Sequence, residues 1–223
     1  MSSPGPATTR FDLRASTYDD SVLQEFLFVP VHHRALQLGR RFLPQAGGVL
    51  DVGCGTGRLL RTARACYPAA ELVGVDLAGR MVASAIAATP SRLAVRYVQV
   101  RAECLPFPDA MFDLVFATMS LRHWANLPAG IAEAARVLSP PGMIVLGDIF
   151  GSCPRPEPRV PSVRRRPTPA PAELEAVLAG QHLEVAGVAR ARWFGLPDVQ
   201  VLAVQPGCRS RHPQPGPTHV NVD

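Results

Sequence analysis

Lysine is missing altogether from the 223 residues, so all 23 side chains of the Lys/Arg class are arginine. The formal net charge is +5, and part of it sits in proline-rich stretches around Arg155–Arg166 and Arg209–Arg211. A nucleic-acid surface needs a basic stripe on one folded face. Arginines scattered through such stretches make none, and no nucleic-acid partner is expected. No apolar run approaches the roughly 18 residues that would span a bilayer. The opening MSSPGPATTR lacks the apolar stretch of a secretory leader. Five cysteines (Cys54, Cys66, Cys104, Cys153, Cys208) include no CxxC pair, which argues against a disulfide framework or a zinc knuckle. Reduced thiols fit a cytoplasmic setting, which is the expected one. There is no internal repeat. With 47% hydrophobic and 18% charged residues, the chain reads as one globular domain with a substantial core.

What is present is an alternation of short apolar runs with helical patterns. Residues 1–10 read as disordered. Helical spacing begins at Ser21, and Pro30 suits the first turn of a second helix, whose apolar face is Val31, Ala35, Leu38 and Phe42. Strands are expected at GGVLDV, ELVGVD, VRYVQV, MFDLVFA and MIVLGDIF, with helices at GRLLRTARAC, AGRMVASAIAA and AGIAEAARVL, the last stopped by SPPG. Strand–helix alternation predicts parallel βαβ units with helices on both faces, and a ligand at the carboxyl ends of the strands. A proline- and arginine-rich loop follows at 151–171. AELEAVLAG then resumes a helix with Gly180 as its C-terminal cap, and HLEVAGVARARWF and DVQVLAVQ form an antiparallel strand pair. The domain is expected over 11–205, with 206–223 a disordered, proline-rich tail.

The stretch VLDVGCGTGRLLR, Val49 to Arg61, raises the functional question. Gly53, Gly55 and Gly57 stand at every second position where a strand gives way to a helix. Glycine accepts positive φ and lets a ligand approach the backbone. The helix start offers N–H groups and partial positive charge to a carboxylate or phosphate. A dinucleotide site expects G-x-G-x-x-G, but the spacing here is G-x-G-x-G and position 58 is Arg58. Asp76 ends the second strand, where a carboxylate can accept from both hydroxyls of a ribose or cap the helix beginning near Ala78.

The tight glycine loop with Asp51 in its strand resembles the first motif of class I S-adenosylmethionine-dependent methyltransferases. RAECLPFPDAMFDLVFA and EAARVLSPPGMIVLGD are similar to two further segments of the small-molecule branch of that family, the methyltransferase type 11, quinone-biosynthesis-like branch. Together with YDD at Tyr18–Asp20, the resemblance covers about residues 11–205. It implies an α/β, doubly wound, Rossmann-like and mainly parallel sheet, with the C-terminal antiparallel pair at one side. The implied cofactor is S-adenosyl-L-methionine, and the implied acceptor is a hydrophobic or phenolic small molecule.

Residue by residue, the resemblance gives Asp51, Gly53, Gly55 and Gly57 the methionine part of the cofactor, Asp76 the ribose, and Leu77 the adenine face. Ala102 would supply a backbone N–H to the adenine. Glu103 is the acidic candidate for its amino group, since Arg101 stands where the family often has aspartate, although Glu103 could equally be a solvated loop residue. Thr118 and Met119 would face the sulfonium, Tyr18 would help to close the site or simply pack, and His123 is either a general base or a structural histidine. ATMS replaces the D/N-P-P-Y/F motif of nucleobase amino-methyltransferases, and no metal-binding constellation can be assembled. Phe26 to His33 and the loop after the fifth strand would build the acceptor site, with Leu27, Phe28, Val31 and Trp124 making it apolar. An NAD(P)-dependent oxidoreductase and a non-catalytic methyltransferase-like scaffold are the rival readings.

Overall fold

A computed structural model describes residues 28–150, 169–191 and 199–207, together with the short strand Thr218–His219. Helix α1 (Val29–Phe42) carries its proline in the first turn, as expected. It leads into β1 (Gly48–Val52), α2 (Arg58–Cys66), β2 (Glu71–Asp76), α3 (Gly79–Ala88), β3 (Val95–Gln99), β4 (Phe112–Thr118) and α4 (Leu127–Val137). Strand β5 (Leu138–Asp148), α5 (Pro171–Gly180), β6 (Leu183–Ala191), β7 (Val199–Pro206) and β8 (Thr218–His219) complete the order. The strands lie side by side as β3-β2-β1-β4-β5-β7-β6-β8. Strands β3 to β5 run parallel, while β7 pairs antiparallel with both β5 and β6. The short β8, inside the stretch read from sequence as a tail, pairs parallel with β6.

The two-residue period of the strands sorts the core into two layers. Val49, Leu114, Phe116 and Val145 join Val31 and Ala35 of α1 and Leu59, Leu60 and Ala63 of α2 on one face. Leu50, Val115, Ala117 and Ile144 join Ile131 and Ala134 of α4 and Leu174 and Leu178 of α5 on the other. Both faces are thus covered, as the near-continuous apolar runs of these strands require. The chain builds outward from β1 to β3, then crosses back to β4 on the other side of β1. The carboxyl ends of β1 and β4 therefore form the switch point, where an open sheet leaves a crevice.

Three details depart from the sequence reading. SPPG ends the helix, but it does not stand between helix and strand: β5 begins at Leu138, opposite Phe112, and the regular ladder resumes only at Leu114–Met143. Proline has no N–H for a ladder, so this stretch is extended but irregular. Gly180 is the last helical residue of α5 rather than its cap, and the left-handed turn falls on His182 at φ 56°. Helix α4 starts earlier than expected, because the Asn126 side chain accepts from Ala129 N at 3.1 Å and Pro128 occupies its first turn.

Two arginines tie loops to this frame. Arg64 of α2 donates to the carbonyls of Leu93, Pro68 and Ala70 at 2.8–3.0 Å. Arg136 of α4 holds the segment after β3, donating to Leu105 O, Phe107 O and Asp109 Oδ1 at 2.7–3.0 Å, while Glu133 Oε2 accepts from Leu105 N at 2.7 Å. The Arg136 guanidinium also grips Glu133 and holds its carboxyl below the usual carboxylate range. Replacing Arg136 with alanine should cost about 2–3 kcal/mol, from charge-assisted bonds lost and carbonyls left unmatched. Urea unfolding would measure it, and a loss under 0.5 kcal/mol (roughly the effect of an ordinary surface change) would show that the clamp contributes nothing.

Candidate functional site

The glycine turn after β1 is a built object. Val75 O of β2 accepts from both Gly53 N (2.8 Å) and Cys54 N (2.9 Å). Gly53, Gly55 and Gly57 adopt φ of 81°, 53° and 76°, the left-handed region that the sequence reading assigned to them. Their reasons differ. A Cβ on Gly53 would stand 2.4 Å from Ser120 Cβ, and one on Gly57 would stand 2.2 Å from the Tyr97 hydroxyl. Gly55 alone of the three has nothing within 4 Å, because it faces the crevice.

That crevice is a cleft of about 1030 Å³, including open solvent at its mouth. Asp51, Gly53, Gly55, Asp76, Leu77, Ala102, Glu103, Thr118, Met119 and His123 all line it. Gly57 lies behind the loop against Tyr97. Tyr18 lies outside the described residues.

Asp51 points from β1 toward the α1/α2 face and is 1% exposed. Its Oδ1 is buried with no hydrogen-bond partner. Burial, and then the charge of Asp76, push its carboxyl up to about 8. A buried carboxylate in this state calls for a cation or a donor from the cleft. Asp76 instead bridges two turns: Oδ2 accepts from Gly55 N and Oδ1 from Ala78 N, each at 2.9 Å. It is not the N-cap of α3, which is Ala78. Each oxygen keeps acceptor capacity for a hydroxyl. Leu77, 46% exposed, gives the rim an apolar surface suited to a flat ring.

On the far side of the cleft, Glu103 is more than a solvated loop residue. Oε1 accepts from Asn126 N at 2.9 Å and Oε2 from Arg101 Nε at 3.1 Å. Burial would raise its carboxyl, but these bonds hold it below the usual range. Thr118 and Met119 close the floor. Met119 sits at φ 54° with its N–H on Gly147 O at 2.6 Å, a strained backbone directly under the cleft. His123 ends a 3-10 turn, Leu121–His123, and its Nε2 accepts from Arg122 Nε at 3.2 Å.

The acceptor-side expectation is only half met. Phe28 and Trp124 line the cleft. Val31 instead packs into the core against Gly147, because it lies on the inward face of α1. Phe26 and Leu27 lie outside the described residues. Sequence reading missed Ser120, whose hydroxyl donates to Val52 O at 2.9 Å and whose Cβ forbids a side chain at Gly53. It also missed Arg122, bonded to the buried Asp148 at 3.0 Å.

Residues 50–146, the span holding the glycine turn, Asp76, Glu103 and the turn after β4, match the profile of a methyltransferase domain. The chain carries a methyltransferase domain. Among curated relatives of this domain, nocamycin O-methyltransferase of Saccharothrix syringae is 34% identical over 195 residues, covering 84% of this chain and 66% of that one. Demethylmenaquinone methyltransferase of Thermus thermophilus is 37% identical over 114 residues, 51% of each chain. The chain thus spans about half to two thirds of the length of these relatives. In fold, the methyltransferase domain resembles a SAM-dependent methyltransferase from Aquifex aeolicus, with TM-score 0.66 and 19% identity over 87% of this chain and 98% of that one.

Proposed function

We propose that the protein transfers a methyl group from S-adenosyl-L-methionine to a hydrophobic or phenolic small molecule. The observation that carries this reading is the buried, unpartnered Asp51 Oδ1 facing a cleft whose other wall bears Asp76. The cofactor is a cation with ribose hydroxyls, and the donor set fits it. Asp51 offers a carboxylate to positive charge, and Asp76 offers two oxygens already aimed by Gly55 N and Ala78 N. Gly55 leaves room for the chain of the ligand, and Leu77 supplies an apolar rim.

When bound, the cofactor supplies an electrophilic methyl on a sulfonium. The protein's part is alignment for an in-line displacement and exclusion of water. Phe28 and Trp124 present apolar surface where the acceptor would lie. Thr118 and Met119 form the rigid floor between the two ligands.

Titration calorimetry with S-adenosylmethionine and S-adenosylhomocysteine, with NAD(H) as control, tests the reading. Asp76→Ala should weaken binding about 100-fold, through loss of charge-assisted bonds to the ribose. If the folded wild type binds neither sulfur ligand, the reading fails. Binding of NAD(H) instead would favour the oxidoreductase.

A further inference from the structure

Arg101 lines the cleft and has no part in the reading above. The segment that carries it starts beside Asp76: Gln99 of β3 pairs with Asp76 of β2, and Val100 N donates to Asp76 O at 3.0 Å. A base joined to a ribose at Asp76 would therefore meet Leu77 at one strand end and residues 100–103 at the next. Leu77, Ala78, Met81, Val100 and Ala102 line this part of the cleft without a side-chain nitrogen or oxygen. The polar side chains that these two segments add to the lining are those of Arg101 and Glu103.

Glu103 is committed within the protein. Oε1 accepts from Asn126 N at 2.9 Å and Oε2 from Arg101 Nε at 3.1 Å. The backbone N–H groups of Glu103 itself and of Ala125 bond the same carboxylate. These four donors match the roughly four acceptor sites that a carboxylate offers, and the side chain is only 11% exposed. Its lone pairs are taken before an amino group of a base arrives. Arg101 is the opposite case. Its side chain is 53% exposed, and among the described residues Nε is the only guanidinium nitrogen with a partner.

A guanidinium donates and does not accept. The base end of the cleft thus offers a ligand side-chain donors and no side-chain acceptor. Adenine carries a 6-amino group there, itself a donor. A purine with oxygen at position 6 carries an acceptor instead, and an acceptor facing a guanidinium makes a charge-assisted bond.

We propose that Arg101 sets the base specificity of the cofactor site: no side-chain acceptor reads the 6-amino group of adenine, and a 6-oxo purine binds at least as tightly. This inference rests on the methyl-transfer reading and concerns one end of the same site.

Titration calorimetry of the full-length protein at pH 7, with S-adenosyl-L-homocysteine and S-inosyl-L-homocysteine, is the test. Neither ligand carries a transferable methyl, and the two differ only in the purine. The wild type should bind the inosyl ligand as tightly as the adenosyl one, or more tightly. Arg101→Asp puts an acceptor in place of the donors and should shift the ratio about tenfold toward the adenosyl ligand, the worth of one charge-assisted bond. Arg101→Leu removes the donors and should weaken the inosyl ligand several-fold while leaving the adenosyl one as it is. A general disturbance of the cleft weakens both ligands together, so the ratio reports specificity and not structure. A wild type that prefers the adenosyl ligand by more than about threefold (some 0.6 kcal/mol) overturns the proposal. So does a ratio that stays at the wild-type value in both variants. If neither ligand binds the folded wild type, the methyl-transfer reading itself falls. If the adenosyl ligand alone binds, that reading stands and only the role of Arg101 is lost.

Discussion

An Asp51→Asn protein will be more stable than the wild type above pH 8 and will bind S-adenosylmethionine about 30-fold more weakly, as expected for losing one partly desolvated charge pair. The sign follows from the direction of the shift. The folded carboxyl is pushed up to about 8 from an ordinary 3.8, by burial first and by Asp76 second. Between those values the folded chain holds a proton that the unfolded chain has released, so stability falls as pH rises from about 4 to 8. The accumulated cost reaches at most about 6 kcal/mol at pH 9. Asparagine fills the same space and carries none of it. A cationic ligand reverses the balance, because it favours the ionised carboxylate. Wild-type affinity for S-adenosylmethionine should therefore increase with pH up to about 8, with release of a proton, while the variant's affinity stays flat. Thermal melts at pH 6 and 9, and calorimetry in two buffers of different ionisation enthalpy, read both effects. Binding without proton release at pH 7 would show that Asp51 is already ionised before the ligand arrives.

The second large effect separates two glycines that look alike in sequence. Gly57→Ala should destabilise the protein by about 3 kcal/mol, the sum of a left-handed alanine and an overpacked contact. Its Cβ would meet the Tyr97 hydroxyl, which is held by Thr89 Oγ1 at 2.9 Å. Gly55→Ala should cost only about 1 kcal/mol, the backbone penalty alone, yet reduce cofactor binding more than tenfold, since its methyl projects into the cleft. Denaturant midpoints and ligand titration on the two variants should give opposite rankings. Equal loss of stability in both would mean that the Tyr97 contact is relieved without cost. Tyr97→Val placed beside Gly57→Ala should recover part of the loss.

Much of the frame was readable because strands, turns and helices each carry local signals. ELVGVD and DLVFA are apolar runs bounded by acidic residues, and VLDV is an apolar run broken only by Asp51. The glycine turn was readable for the same reason, as was Asp76 at a strand end. Asn126 could have been read as a helix start, with proline two residues on. The remainder depends on register. Arg122 meets Asp148 across 26 residues, and Glu133 meets Leu105 across 28, and no local pattern states which loop lies beside which. Val31 shows a further limit. The inner face of a helix and the wall of a pocket are both apolar, so Phe28 and Val31 are indistinguishable until the packing is seen.

The bridging by Asp76 bears on how this scaffold could be altered. Loops around the cleft are cross-linked by carboxylates to backbone N–H groups, Asp76 to Gly55 and Ala78, Glu103 to Asn126. Changes there propagate into loop shape. Phe28 stands just before α1, Trp124 and His123 follow β4, and all three line the cleft. Substrate range can therefore be remodelled at a handful of positions while the carboxylate-tied loops keep their form, which makes a small combinatorial library at these three residues the natural unit for engineering a new acceptor.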